Sequence, residues 1–142
     1  MSEQSSSQAE ISETNRLEAF SDGVFAIAIT LLVLEIRLPH VEATEGGHLA
    51  SDLLALWPTY LAYIISFITI GIMWINHHAV FKMIHRTDRT LIFLNALLLM
   101  VITFLNFPTV VLSEYLQSPD GNVAAVFYSG TLFIIAILYN VL

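Results

Sequence analysis

The stretch Arg16-Leu17-Glu18-Ala19-Phe20-Ser21-Asp22-Gly23, followed by the apolar run Val24 to Leu34, sets the class of this chain. With its flanks the run is long enough to cross a bilayer, and it carries a carboxylate near its start. An Asp at the centre of a membrane helix costs roughly 2.5–3.5 kcal/mol on insertion scales, so Asp22 belongs near one interface, facing protein or water. That makes Asp22 a candidate site residue.

Composition agrees. Of the 142 residues 56% are hydrophobic and only 12% charged, and the mean hydropathy is +0.74. A soluble domain carries about a quarter charged residues, whereas here the charges gather in short connections. The expected class is an all-α, polytopic transmembrane bundle. The absence of cysteine excludes disulfide scaffolds, thiolate metal sites and thiol catalysis. Residues 1–15 hold neither Lys nor Arg before Arg16 and are rich in Ser, Gln and Glu. They lack the basic region of a signal peptide and read as a mobile polar tail ahead of a membrane domain spanning 16–142.

Four spans are expected near 17–36, 53–75, 91–112 and 123–142, each close to the roughly 20 residues a bilayer core needs. The first connection holds Pro39 and Gly46-Gly47, and the third holds Ser118-Pro119-Asp120-Gly121, both good turn chemistry. The second carries Lys82, Arg86 and Arg89, three of the five basic residues, which marks it as cytoplasmic. Alternation then puts the N-terminus, Arg16 and Asp22 on the cytoplasmic side. Outside, Glu35, Glu42, Glu45, Asp52, Glu114 and Asp120 face a single Arg37, giving an electronegative outer mouth. Pro108 is expected to kink the third span, with Asn106 or Thr109 taking up freed backbone groups. The fourth span is still apolar at Leu142 and reads as continuing into a larger protein.

Angular position adds a second feature of the first helix. At about 100° per residue, Phe20, Gly23, Ile27, Thr30, Leu31 and Leu34 fall within about 60° of Ile27, while Ser21 and Asp22 point away. One side of the helix is thus an apolar stack and the other a polar attachment. The stripe by itself fits either a helix-packing seam or a face presented to a symmetry axis.

The string Arg16-x-x-x-Phe20-Ser21-Asp22 at the head of the first span, with Trp74 and His77-His78 after the second, resembles the bacterial form of the transmembrane protein 175 potassium channel family. The resemblance runs from Arg16 to the end of the chain. It implies a multi-pass protein of the inner cell membrane and a homotetrameric pore lined by the first helix. It implies permeant potassium and caesium in preference to sodium, and no cofactor. By spacing from the motif, the constriction falls on Ile27, Leu31 and Leu34, with Thr30 beside them and Glu35 at the outer mouth. It further implies a structural anchor formed by Arg16, Phe20, Ser21 and Asp22 with Trp74, His77, His78 and Asn95, and with Asn106 as a weaker candidate. Family members have six helices per subunit, and four are read here.

A ring of Ile and Leu supplies no oxygens to replace a hydration shell, so it would act by dewetting and favour the ion that sheds water most readily. Glu35 either concentrates cations or pairs with Arg37. Three rival readings remain. Adjacent His77 and His78 point about 100° apart, which disfavours metal or haem ligation. Ser21, Asp22 and a histidine resemble a catalytic triad in composition, but helix neighbours point apart. A proton-coupled secondary transporter would place ionisable groups at midplane on a broken helix, whereas here they cluster at span ends.

Overall fold

The computed structural model describes residues 2–37, 49–84 and 88–142. The expectations resting on Pro39, Glu42, Glu45, Gly46, Gly47 and Arg86 lie outside the described residues. Every regular element among those described is helical: α1 (Ser2–Leu31), a 3-10 turn (Leu32–Glu35), α2 (Leu49–Ala55), α3 (Trp57–Phe81), α4 (Arg89–Phe104), α5 (Asn106–Tyr115) and α6 (Gly121–Val141).

Among the described residues, four segments are long and apolar enough to cross a membrane: Glu13–Glu35, Trp57–Phe81, Arg89–Tyr115 and Gly121–Val141. The second runs to Phe81 rather than stopping near residue 75. Its start moves from residue 53 to Trp57 because Pro58 occupies the first turn of α3, where a missing N–H costs nothing. Leu49–Ala55 form a separate short helix before it. At the other end of the chain's order, α1 is helical from Ser2, so the expected polar tail has a helical backbone. No Gly or Pro interrupts residues 2–22, and nothing in that composition stops a helix growing backwards from the span.

Local chemistry fixes the other boundaries. The Asp88 carboxylate accepts the Leu91 N–H at 2.7 Å and caps α4. The third span breaks at Leu105, between α4 and α5, three residues before Pro108. There Asn106 Nδ2 donates to the Thr103 carbonyl at 3.2 Å, and Thr109 Oγ1 donates to the Leu105 carbonyl at 2.8 Å. Both expected groups thus serve the break. Before α6, a Cβ on Gly121 would lie 3.0 Å from the carbonyl oxygens of Tyr115 and Leu116, so the turn requires a glycine.

Helix α1 packs against α3 and α4, while α6 packs against α4 and α5, and α3 against α5. Phe25, Ala28 and Leu32 meet Ile70, Leu98, Leu99 and Ile102 in the core, with Tyr128 and Ile135 completing it from α6. Lipid tails are as apolar as these side chains, so burial alone does not hold such a bundle and interhelical hydrogen bonds matter more. Ser66 Oγ stands 2.8 Å from Thr109 Oγ1 and 3.0 Å from Tyr128 OH, joining α3, α5 and α6. Tyr139 OH donates to the Met73 carbonyl at 2.6 Å.

Candidate functional site

Helix α1 has two unlike sides. Phe25 and Ala28 are 1% and 0% exposed and Ser21 is fully buried, whereas Ile27 is 58% exposed and Leu34 66%. The apolar stripe read from the sequence is the uncovered side. Phe20, Thr30 and Leu31 are exposed with it. The 3-10 turn over Leu32–Glu35 sharpens the stack, because residues three apart eclipse there and Leu34 stands directly over Leu31. Glu35, at the end of the turn, lines a crevice together with Leu31 and Leu34. Its carboxylate lies 3.6 Å from the Arg37 guanidinium, in keeping with the pairing alternative.

The covered side is fastened by polar contacts at one end. Asn95 Nδ2 donates to Ser21 Oγ at 2.9 Å, and Ser21 Oγ donates to the Leu17 carbonyl at 2.9 Å. Asn95 therefore offers its Oδ1 to His77 Nε2, 2.8 Å away. That direction makes His77 the Nε2–H tautomer, with a bare Nδ1. Nδ1 is buried with no hydrogen-bond partner among the described residues, which is consistent with an unprotonated nitrogen. The His77 ring is wedged between Phe81 and Phe25, with centroids at 4.4 and 5.2 Å. One turn away, Trp74 Nε1–H donates to Asp22 Oδ1 at 2.8 Å.

Of the expected anchor, the structure brings together Ser21, Asp22, Trp74, His77, His78 and Asn95, but not Arg16 or Phe20. Those two lie on the stripe side of α1 and line a crevice with Glu13, Leu17 and Ile92. Asn106 opens α5, beyond the end of α4 away from Asn95, and serves the helix break instead. Glu18 is a member that the sequence reading missed. Its Oε1 accepts from His78 Nδ1 at 2.6 Å, and the His78 ring stacks on Trp74 at 6.3 Å. The signal was available, since Glu18 sits four residues before Asp22 and shares its face.

The geometry removes one rival and weakens another. Ser21 contacts an asparagine and a carbonyl, and Asp22 an indole, so neither meets a histidine and no triad forms. Among the described residues, no three His, Asp or Glu side chains gather as a metal site would require.

Residues 16–105 match the family described as endosomal/lysosomal potassium channel TMEM175. The chain belongs to the TMEM175 family. It is 55% identical, over 92% of its length, to a protein named as a potassium channel in Chamaesiphon minutus. It is 50% identical, over 93%, to one so named in Streptomyces collinus. In each case it spans 64% of the relative's own length. The human relative, named an endosomal/lysosomal proton channel, is 34% identical over 88% of this chain and 26% of that one. The crystal structure of a lysosomal potassium-selective channel TMEM175 homologue from Chamaesiphon minutus superposes with a TM-score of 0.87. That match has 55% identity and covers 91% of this chain and 69% of the other. The helices described here are therefore a TMEM175 membrane bundle, and its relatives are channels rather than enzymes.

Proposed function

We propose that this chain is the pore-bearing part of a potassium-selective channel of the inner cell membrane, with its N-terminus in the cytoplasm. In this reading four copies surround an axis with α1 innermost. Ile27, Leu31 and Leu34 form stacked apolar rings, Thr30 supplies hydroxyls beside them, and Glu35 stands near the outer mouth. The observation that carries the reading is the uncovered stripe on a helix whose opposite side is buried and hydrogen-bonded to two neighbours.

The division of labour follows from solvent physics. The rings have no oxygens to offer an ion, so they discriminate by width and by the cost of shedding water, which is lower for potassium and caesium than for sodium. The anchor Ser21, Asp22, Trp74, His77, His78 and Asn95 holds the pore helix at fixed rotation, which decides which side chains meet the ion. A proton-coupled transporter fits less well, because the ionisable side chains of the anchor sit at helix ends and α1 is unbroken through the bundle's middle.

The test is cation flux from liposomes holding the purified full-length protein, under potassium, caesium and sodium gradients in turn, with a proton gradient as a further arm. Potassium and caesium flux exceeding sodium flux, and altered by Ile27→Asn, is the expected result. Flux that requires a coupled proton gradient would favour the transporter, and proton flux alone would move the reading towards the conduction named for the human relative.

A further inference from the structure

The charged side chains of α1 are sorted by side. At about 100° per residue, Glu18 and Asp22 fall about 140° or more from Ile27. There Glu18 Oε1 accepts from His78 Nδ1 at 2.6 Å and Asp22 Oδ1 from Trp74 Nε1–H at 2.8 Å. Arg16 instead falls within about 20° of Ile27, on the line of the stripe. It is exposed and lines a crevice of about 450 Å³ with Glu13, Leu17, Phe20 and Ile92. Among the described residues, no ion pair claims its guanidinium.

Glu13 lies about 40° from Ile27 and one turn beyond Arg16, and α1 is helical through both positions. The line of Leu34, Leu31 and Ile27 therefore continues past Phe20 into Arg16 and then Glu13. At the other end of the span, the Glu35 carboxylate is shared with Arg37 at 3.6 Å. On the side of the helix that carries the apolar stack, Arg16 is thus the nearest charged group to it that no described partner offsets.

Resting on the pore reading above, we infer that Arg16 sets the electrostatics of the cytoplasmic mouth and makes the path pass potassium more readily inward than outward. A fixed positive charge beside a narrow path with low-dielectric walls depletes cations at that mouth. Potassium arriving from the cytoplasm meets the depletion before it reaches the apolar rings, whereas potassium from outside enters at the opposite end. Glu13 opposes Arg16, but it stands about 4.5 Å further from the rings along the helix axis, where water and salt screen it more. Its effect is opposite in sign and smaller. Arg16 does not bind the ion; it governs how often one arrives.

The test uses the full-length protein in excised inside-out patches with equal potassium on both sides, so that the cytoplasmic face is known and bathed. The parent is expected to carry more inward than outward current. Arg16→Gln should raise outward current on the order of twofold at 0.1 M salt, while Arg16→Lys keeps the parent's ratio and Glu13→Gln lowers outward current by less. The gain in Arg16→Gln should vanish near 1 M salt, where the Debye length is about 3 Å; a merely structural role would not depend on salt. Because the chain contains no cysteine, charge can also be returned chemically. Arg16→Cys treated from the cytoplasmic side should lose outward current with a cationic thiol reagent and gain it with an anionic one of similar size. Equal effects of the two reagents, no effect of either, or a gain in Arg16→Gln that persists at high salt would overturn the inference. Current that responds to Ile27→Asn but not to charge at residue 16 would overturn it and leave the pore reading standing, whereas a parent that carries no potassium current would sink both.

Discussion

Between Glu18 and Asp22, α1 is tied to α3 and α4 by side-chain hydrogen bonds of 2.6 to 2.9 Å, while from Ile27 to Leu34 one side of the same helix stands uncovered. The first region spends polar groups in a place where they are expensive; the second leaves large apolar groups without protein partners. The difference assigns tasks along one helix. Polar contacts in lipid have direction and so fix rotation and register, whereas an apolar surface has none and can line a path without binding what passes.

If that division holds, substitutions in the anchor cost stability and those in the stripe change permeation. The largest effect is expected from Asn95→Leu, which strands the His77 Nε2–H and takes the Nδ2 donor away from Ser21 Oγ in a buried site. Leaving a buried polar group unpaired costs about 1–3 kcal/mol, so the loss should be about 2–5 kcal/mol, read as a lowered thermal midpoint in detergent. A loss below about 0.6 kcal/mol, the average found for hydrogen bonds in a membrane bundle, would mean that the node is dispensable.

Trp74→Phe tests a wetter contact. The indole is 41% exposed, so losing its bond to Asp22 should cost only about 1 kcal/mol. Glu18→Gln is expected to cost less than about 1 kcal/mol, because the pair with His78 is partly exposed. Should Glu18→Gln prove more damaging than Asn95→Leu, the ranking of buried over exposed anchor contacts is wrong. In the stripe, Leu31→Ser should leave unfolding within about 0.5 kcal/mol of the parent, as exposed positions do, yet raise sodium permeability relative to potassium in bilayer recordings. An unchanged reversal potential would remove Leu31 from the constriction.

Much of this was readable in the sequence because the relevant signals are local. The apolar stripe follows from spacing alone, and Asp22 had to find a partner because a membrane helix carries few carboxylates. Leu34 was placed on the stripe by α-helical spacing and is there by a different route, the 3-10 turn. Other features depend on packing. Ser66, Thr109 and Tyr128 each stand in an apolar span among other hydroxyl residues, such as Thr69, Thr103 and Thr131, and a Ser or Thr there can satisfy itself on its own helix. Only the crossing of α3, α5 and α6 joins Ser66, Thr109 and Tyr128. Arg16 and Phe20 entered the anchor through the resemblance, while helical spacing already set Phe20 on the stripe, because a helix sends residues one apart in different directions. The helical backbone before Glu13 was hidden by a polar composition that signals exposure without excluding a helix.

The central claim is that one face of α1 meets the permeating ion while the opposite face is buried in protein. A cysteine scan from residue 25 to residue 34, made possible by the cysteine-free sequence, tests it with a membrane-impermeant thiol reagent applied during potassium current. Block is expected at Ile27, Leu31 and Leu34 and not at Phe25, Ala28 or Leu32. Block at the second set, or no dependence on helical position, would contradict the account.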